Sequence, residues 1–172
     1  MIVRSDLKWH SNTENMILKA NKRLWILRRL KFLGAEDGDL LDVYFKQIRS
    51  VVELAVPVWH GGLTQAEHQD IERVQRSACH IILGDQYISY KLALKLLELE
   101  SLYDRRDKLC LKFARECEKH SKHRNWFKRR EKNFSTRELK SKYCEVRANH
   151  TRFEKSPLGF LTKLLNEYYN KK

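Results

Sequence analysis

Apolar residues recur at spacings of three and four along most of the first 118 residues, and this period restricts the fold more than any other feature of the sequence. The spacing places apolar side chains on one face of an α-helix, whereas a half-buried strand would show them at every second residue. The first series follows a capping-box pattern at Ser11–Glu14 and ends before Gly34, a residue typical of helix C-termini. Its members are Ile17, Ala20, Leu24, Leu27 and Leu30. The pattern predicts an amphipathic helix.

Five further series have the same period, and each begins at a residue type that favours a helix N-terminus. The starting residues are Asp37 or Asp39, Thr64, Ser89, Ser101 and Ser156. The series that ends at Pro57 is apolar over most of its circumference, so it is predicted to form the centre of the core.

The only strand candidate is residues 1–3, which are too few to form a stable strand alone. We therefore predict an all-α fold, a compact bundle of about five helices with a short N-terminal extended segment, a basic and poorly ordered linker, and a C-terminal amphipathic helix. The predicted segments are a helical domain at 1–118, the basic linker at 119–155 and the C-terminal helix at 156–172.

The formal net charge of +13 is concentrated in two stretches. Residues 1–33 hold eight Lys or Arg against two acids, and residues 119–155 hold thirteen against four, whereas residues 34–118 are slightly acidic. Basic segments beside a nearly neutral helical body favour a polyanionic partner through phosphate contacts. A solvated, partly disordered basic linker explains the second stretch equally well.

No apolar run reaches the roughly 18 to 20 residues that a membrane-spanning helix needs, and the N-terminus lacks the apolar core of a signal peptide. We therefore expect an intracellular protein, nuclear or cytoplasmic and not secreted, without a membrane partner. The four cysteines are expected to be reduced thiols. No glycine-rich phosphate loop or nucleophile elbow is present, so no cofactor and no catalytic residue are predicted.

Two groups of residues combine positive charge with aromatic side chains, as single-strand binders do when charges follow the phosphates and a ring stacks on a base. The first group lies on the first predicted helix, and the second group lies in the basic linker. The predicted nucleic-acid-binding residues are Lys19, Lys22, Arg23, Trp25, Arg28, Arg29, Lys31, Lys128, Arg129 and Arg130. The alternative for each group is a solvated charged face with no ligand.

Cys110, Cys117, His120 and His123 supply zinc-ligand types at short spacing. They lack the paired C-x₂-C element of common structural zinc sites, and buried cysteines also pack as small apolar residues. No metal is therefore predicted.

Several stretches resemble, in order, the region that follows the catalytic palm in reverse transcriptases of non-LTR retrotransposons of the jockey-like type. The similar stretches are residues 6–9 (DLKW), 19–24 (KANKRL), 27–30 (LRRL), 54–60 (LAVPVWH), 72–76 (ERVQR), 81–84 (IILG) and 156–166 (SPLGFLTKLLN). Residues 120–150 depart most from the family pattern, because the basic residues 127–130 stand where a proline-rich linker is more usual.

The resemblance implies that residues 1–118 are a thumb-like domain that holds template and nascent strand for a palm, which would be a missing intramolecular partner. Nucleotide addition needs paired carboxylates to hold two metal ions. The sequence contains no Asp-Asp pair, and Asp37 and Asp39 are explained by helix capping. The chain is therefore expected to be a non-catalytic fragment that binds RNA or DNA without sequence specificity.

Residues 1–33 also resemble the N-terminal helical segment of an AlkB-type tRNA-modifying protein, but no iron-binding triad or methyl-donor loop follows. Two other hypotheses stay open at this point: a helical protein-interaction module, and a transposon relic without retained activity.

Overall fold

The computed structural model describes residue 2 and residues 8–130, 141–145 and 151–171, without the side chains of residues 151 and 152. Helices account for most of these residues, and the described ranges contain no β-strand, so the predicted all-α fold is confirmed. The α-helices are α1 (His10–Phe32), α2 (Asp37–Val43), α3 (Ser50–Val52), α4 (Val56–Trp59), α5 (Gln65–Leu83), α6 (Tyr90–Leu96), α7 (Leu102–Lys119), α8 (Thr151–Glu154) and α9 (Pro157–Asn170). A π-helical segment, Tyr44–Arg49, joins α2 to α3. The predicted extended segment at 1–3 lies mostly outside the described residues.

The ends of α1 show one wrong prediction and one correct one. The N-cap is Trp9 rather than Ser11, so the predicted capping box lies inside the helix, where the Thr13 hydroxyl donates to the Trp9 carbonyl at 3.0 Å. At the other end, Gly34 adopts a φ of +84°. The amide of Ala35 donates to the Leu30 carbonyl at 3.1 Å, as in a Schellman motif.

The chain folds into two compact units. Unit 1 comprises Met1–Ala55 and Leu63–Arg105, and unit 2 comprises Val56–Gly62 and Arg106–Lys172. The change of unit falls within α7, so these bounds differ from the segments 1–118, 119–155 and 156–172 that composition and charge predict. The division into segments 1–118, 119–155 and 156–172 stays a prediction that rests on composition and charge.

Unit 1 is built around the packing of α1 against α5. The continuous helical stretch formed by α2, the π-helical segment and α3 packs beside them. The apolar faces predicted from helical spacing are in part buried, and they supply the core residues Leu24, Leu27, Ile48, Val52, Ile71, Val74, Ala78 and Ile82. Ile17 and Leu30 are half-buried, and the core also contains Leu40. Tyr44 is also buried, and its hydroxyl donates to the Gln75 side-chain oxygen at 2.9 Å. This hydrogen bond offsets the free-energy cost of burying the Tyr44 hydroxyl.

Glu72 fixes the start of α7 within unit 1. Its carboxylate accepts hydrogen bonds from the backbone amides of Leu102 and Tyr103, at 3.1 and 3.2 Å, and from the Tyr90 hydroxyl. The first amides of a helix have no partner within the helix, and the helix N-terminus carries partial positive charge. The Glu72 carboxylate accepts hydrogen bonds from two of these amides and places a negative charge beside them. A residue of α5 thereby contacts α6 and holds the first residues of α7.

Unit 2 packs α4 and the following 3-10 turn His60–Gly62 against α9. His60 is 2% exposed, and its Nε2 lies 2.8 Å from the Asp107 carboxylate. A Cβ atom at position 61 would lie 2.5 Å from Cγ of Phe160, so only glycine fits this approach. Trp59 is fully buried. His60 therefore has structural contacts, and Trp59 is a core residue of the unit.

The described part of the predicted linker is folded into unit 2. Phe127 and Tyr143 are 2% and 1% exposed, and their ring centroids lie 5.8 Å apart. The Asn166 side chain of α9 accepts from the Tyr143 amide at 2.9 Å and donates to the Tyr143 carbonyl at 3.1 Å. These residues are therefore better ordered than a solvated linker would be, while residues 131–140 and 146–150 lie outside the described ranges.

Candidate nucleic-acid interface

The solvent side of α1 carries apolar and basic residues in alternation. At 100° per residue, every third or fourth position falls near one line along a helix. Five exposed residues lie within about 40° of that line and define the α1 stripe: Leu18, Lys22, Trp25, Arg29 and Phe32. At 1.5 Å per residue the stripe extends over about 21 Å.

The rings of the α1 stripe are open to solvent. Trp25 is 64% exposed and Phe32 is 79% exposed. The Arg29 guanidinium carbon lies 5.5 Å from the centroid of the Phe32 ring, within cation–π range. Exposed rings between cations allow bases to stack while the cations face phosphates.

Lys19 and Arg28 flank the stripe on either side and are also exposed. The helix contains six Lys or Arg residues and one acid, Glu14, which lies in its second turn. Among the described residues, Lys22, Arg28 and Arg29 form no ion pair with a carboxylate. The positive potential of this surface is therefore not neutralised by described neighbours.

Two of the predicted binding residues on α1 have partners inside unit 1. Arg23 donates to the Gln47 carbonyl at 2.6 Å. Lys31 donates to the Ile82 carbonyl at 2.7 Å and to the Asp37 carboxylate at 2.9 Å. Both side chains connect α1 to neighbouring helices. The candidate contact surface on α1 therefore consists of the α1 stripe together with Lys19 and Arg28.

The second predicted group, Lys128, Arg129 and Arg130, is exposed on unit 2. Its backbone is held by an antiparallel bridge between Arg129 and Tyr143. The Arg130 amide donates to the Lys142 carbonyl at 3.1 Å, and the Cys144 amide donates to the Lys128 carbonyl at 2.8 Å. The three cations therefore project from a fixed backbone.

A half-buried carboxylate, Glu118, lies beside this basic segment. Glu118 accepts hydrogen bonds from Lys142 Nζ at 2.8 Å, from the Tyr169 hydroxyl at 2.7 Å and from the Tyr143 hydroxyl. Burial alone would raise the pKa of the Glu118 carboxyl, but these hydrogen bonds outweigh it and lower the pKa from an ordinary 4.5 to about 2. Glu118 is therefore a charged and fully hydrogen-bonded anchor of α7.

The Glu118 anchor predicts an acid-dependent loss of stability. Because the folded pKa is depressed, the contribution is complete above the unfolded pKa of about 4.5 and is lost as the pH falls to about 2. A displacement of this size corresponds to about 3 kcal/mol. Glu118→Gln should therefore lower the melting temperature at pH 7, and the difference from wild type should shrink toward pH 2. Circular dichroism melts measure it, and a pH-independent difference would contradict the assignment.

The zinc-ligand types in unit 2 do not converge. Cys110 and Cys117 are buried, and burial raises the pKa of the Cys110 thiol to about 12, so the thiolate that zinc requires is disfavoured. The His120 and His123 rings stack on one another at 4.9 Å. Within the described residues no three His, Cys, Asp or Glu side chains are grouped to hold a metal ion.

Two exposed apolar members of the α1 stripe, Leu18 and Phe32, are not among the predicted binding residues. Leu18 and Phe32 have the same helical register as Lys22, Trp25 and Arg29, and this register was the available signal. The predicted apolar series of this helix does not include them, and both side chains are exposed.

None of the helices in the described part of the chain is both long enough and apolar enough to cross a membrane. In the comparisons with known proteins, no protein-family model, no curated protein and no solved structure matches the chain.

Proposed function

We propose that this protein is a non-catalytic nucleic-acid-binding protein whose principal contact surface is the α1 stripe with Lys19 and Arg28. The observation that carries the proposal is the alternation of exposed rings and unpaired cations along one face of α1. Phosphate contacts of this kind position a strand without reading its bases, so binding is independent of sequence. The exposed residues 128–130 supply a second contact on unit 2.

We also propose that the chain corresponds to the thumb and following region of a non-LTR retrotransposon reverse transcriptase. The support is the ordered series of similar stretches between residues 6 and 166, together with the all-α fold. The relationship predicts that genomic copies of this segment follow a reading frame with the palm's aromatic-x-Asp-Asp motif. Copies that never adjoin a palm would contradict it.

Salt dependence tests the binding function directly. Four cations on α1 should contact about four phosphates, and each contact on a single strand contributes a slope near −0.7 to log affinity against log salt. The α1 surface alone should therefore give a slope of about −3, a fall in affinity of about 50-fold between 50 and 200 mM salt, and contacts by residues 128–130 would make the slope steeper. Fluorescence anisotropy with a labelled oligonucleotide of mixed sequence measures it.

The exposed apolar residues Leu18 and Phe32 favour one other function, a helical protein-interaction module. Protein contacts made through apolar side chains depend weakly on salt. A flat salt response, or no oligonucleotide binding at low salt, would therefore reject the nucleic-acid proposal and leave the protein-interaction module and the transposon relic as the two remaining hypotheses.

A further inference from the structure

Unit 2 contains an open cleft of about 560 Å³ beside the basic segment. This volume lies within the range of small-molecule binding sites. The cleft is lined by the turn residues Arg124 and Asn125, by Lys128 and Arg129, and by Glu118 and the aromatic residues Phe127 and Tyr143. All of these residues belong to unit 2, so the site does not involve α1.

The floor of the cleft is fixed. Tyr143 is held at its backbone by Asn166 and at its hydroxyl by Glu118. Phe127 packs against the Tyr143 ring and is almost fully buried. A rigid floor keeps the surrounding polar groups in place before a ligand binds, which reduces the entropic cost of binding.

The wall of the cleft is cationic. Arg124, Lys128 and Arg129 are exposed, and none forms an ion pair with another described residue. Glu118, the one acid among the described lining residues, is compensated by Lys142 at 2.8 Å. The lining therefore presents unpaired positive charge, and guanidinium groups match phosphate oxygens in a bidentate geometry.

An aromatic surface adjoins these cations. Trp126 lies outside the cleft lining, but it belongs to the same 3-10 turn as the lining residue Arg124 and is 47% exposed. Its ring lies 4.5 Å from the ring of His123, which limits its movement. A partly exposed indole next to a phosphate-binding group suits a ligand that carries a planar ring and a phosphate.

We propose that this cleft binds a nucleoside phosphate, with the phosphate held by Arg124, Lys128 and Arg129 and the base stacked on Trp126. The nucleoside phosphate is either a free nucleotide or the phosphorylated end of a strand, since both present the same chemistry. The inference goes beyond the proposed function, because it requires neither α1 nor polynucleotide binding.

Calorimetric titration of the full chain at low ionic strength tests the proposal with three probes: adenosine 5′-monophosphate, adenosine and inorganic phosphate. The nucleotide should bind at least about tenfold more tightly than either of its parts, because it uses both the cations and the indole. Two oligonucleotides, with and without a 5′-phosphate, form a second arm. Preference for the free nucleotide identifies a nucleotide site, and preference for the phosphorylated oligonucleotide alone identifies a strand-end site.

Matched variants assign the affinity to the cleft. The triple variant Arg124→Ala, Lys128→Ala, Arg129→Ala should weaken nucleotide binding at least about tenfold. The control triple Lys112→Ala, Lys155→Ala, Lys171→Ala removes the same charge from exposed positions of unit 2 outside the cleft and should change affinity by less than about threefold. Trp126→Ala should weaken nucleotide binding about fivefold or more and leave inorganic phosphate unaffected.

Three results would overturn the proposal: no binding of the nucleotide or the phosphorylated oligonucleotide, equal losses in the two triple variants, or adenosine binding as tightly as its phosphate. The nucleotide-binding experiments do not depend on the α1 stripe, because all of the lining residues of the cleft belong to unit 2. The variant Lys22→Glu, Arg29→Glu should retain nucleotide binding while its polynucleotide affinity falls, so failure of either proposal is recognised separately.

Discussion

Reversing two charges of the α1 stripe, in the variant Lys22→Glu, Arg29→Glu, should lower the affinity for a single-stranded oligonucleotide roughly 100-fold at 50 mM salt, or about 2.8 kcal/mol. Each substitution removes a phosphate contact and adds a repulsive charge on the same exposed face. The slope of log affinity against log salt should also become shallower by about 1.4, because two phosphate contacts are lost.

The control for this variant is Lys91→Glu, Lys95→Glu on α6. Both lysines are exposed in unit 1, and the change in net charge is the same. If the account is correct, the α6 variant should lose less than about fivefold, because only long-range attraction is reduced. Equal losses in the two variants would show that net charge, and not the α1 stripe, determines binding.

Replacing Trp59 with alanine should lower the free energy of unfolding of unit 2 by about 3 to 5 kcal/mol. Trp59 has no exposed surface, and it lies on α4 at the contact with α9. Removal of the indole leaves a cavity that the surrounding helices fill only in part. Since a domain of this size is stable by about 5 to 15 kcal/mol, the variant should lose much of its cooperative unfolding.

Urea denaturation followed by circular dichroism measures the effect of Trp59→Ala. Trp25→Ala is the matched control, because it removes the same side chain from a position that is 64% exposed. The control should change stability by less than about 0.5 kcal/mol. A loss of the same size at both positions would contradict the assignment of Trp59 to the core.

Helical periodicity and capping patterns predicted the helices and several of their ends, because these features depend on residues that are close in sequence. Thr64 and Glu67 form the expected capping box of α5, and Ser156 caps α9 with Pro157 in its first turn. These signals are local, since the interacting groups lie within three or four residues of each other. The prediction at Ser11 was wrong because a capping pattern that starts two residues inside a helix has the same spacing.

Contacts between distant residues escaped prediction. Tyr143 stands among basic residues without helical periodicity, and its burial depends on Glu118 and Asn166, which are 25 and 23 residues away. Likewise, Arg23 and Lys31 look like ordinary surface cations in the sequence, but each donates to a backbone carbonyl of another element. No local pattern encodes such a partner.

The candidate surface on α1 was predicted in part. Positive charge and aromatic side chains are visible in the sequence, and they predict Lys22, Trp25 and Arg29. Which of the cations remain exposed depends on the packing of α1 against α5 and the π-helical segment, and this packing separates the α1 stripe from Arg23 and Lys31.

The central claim is that nucleic acid contacts the exposed face of α1, and photo-crosslinking tests it most directly. A single-stranded oligonucleotide with photoreactive bases is irradiated with the full chain at low salt, and the modified residues are mapped by mass spectrometry. The account predicts crosslinks within residues 18–32, with Trp25 as a principal site, and their loss in the variant Lys22→Glu, Arg29→Glu. Crosslinks that are confined to other parts of the chain would contradict it.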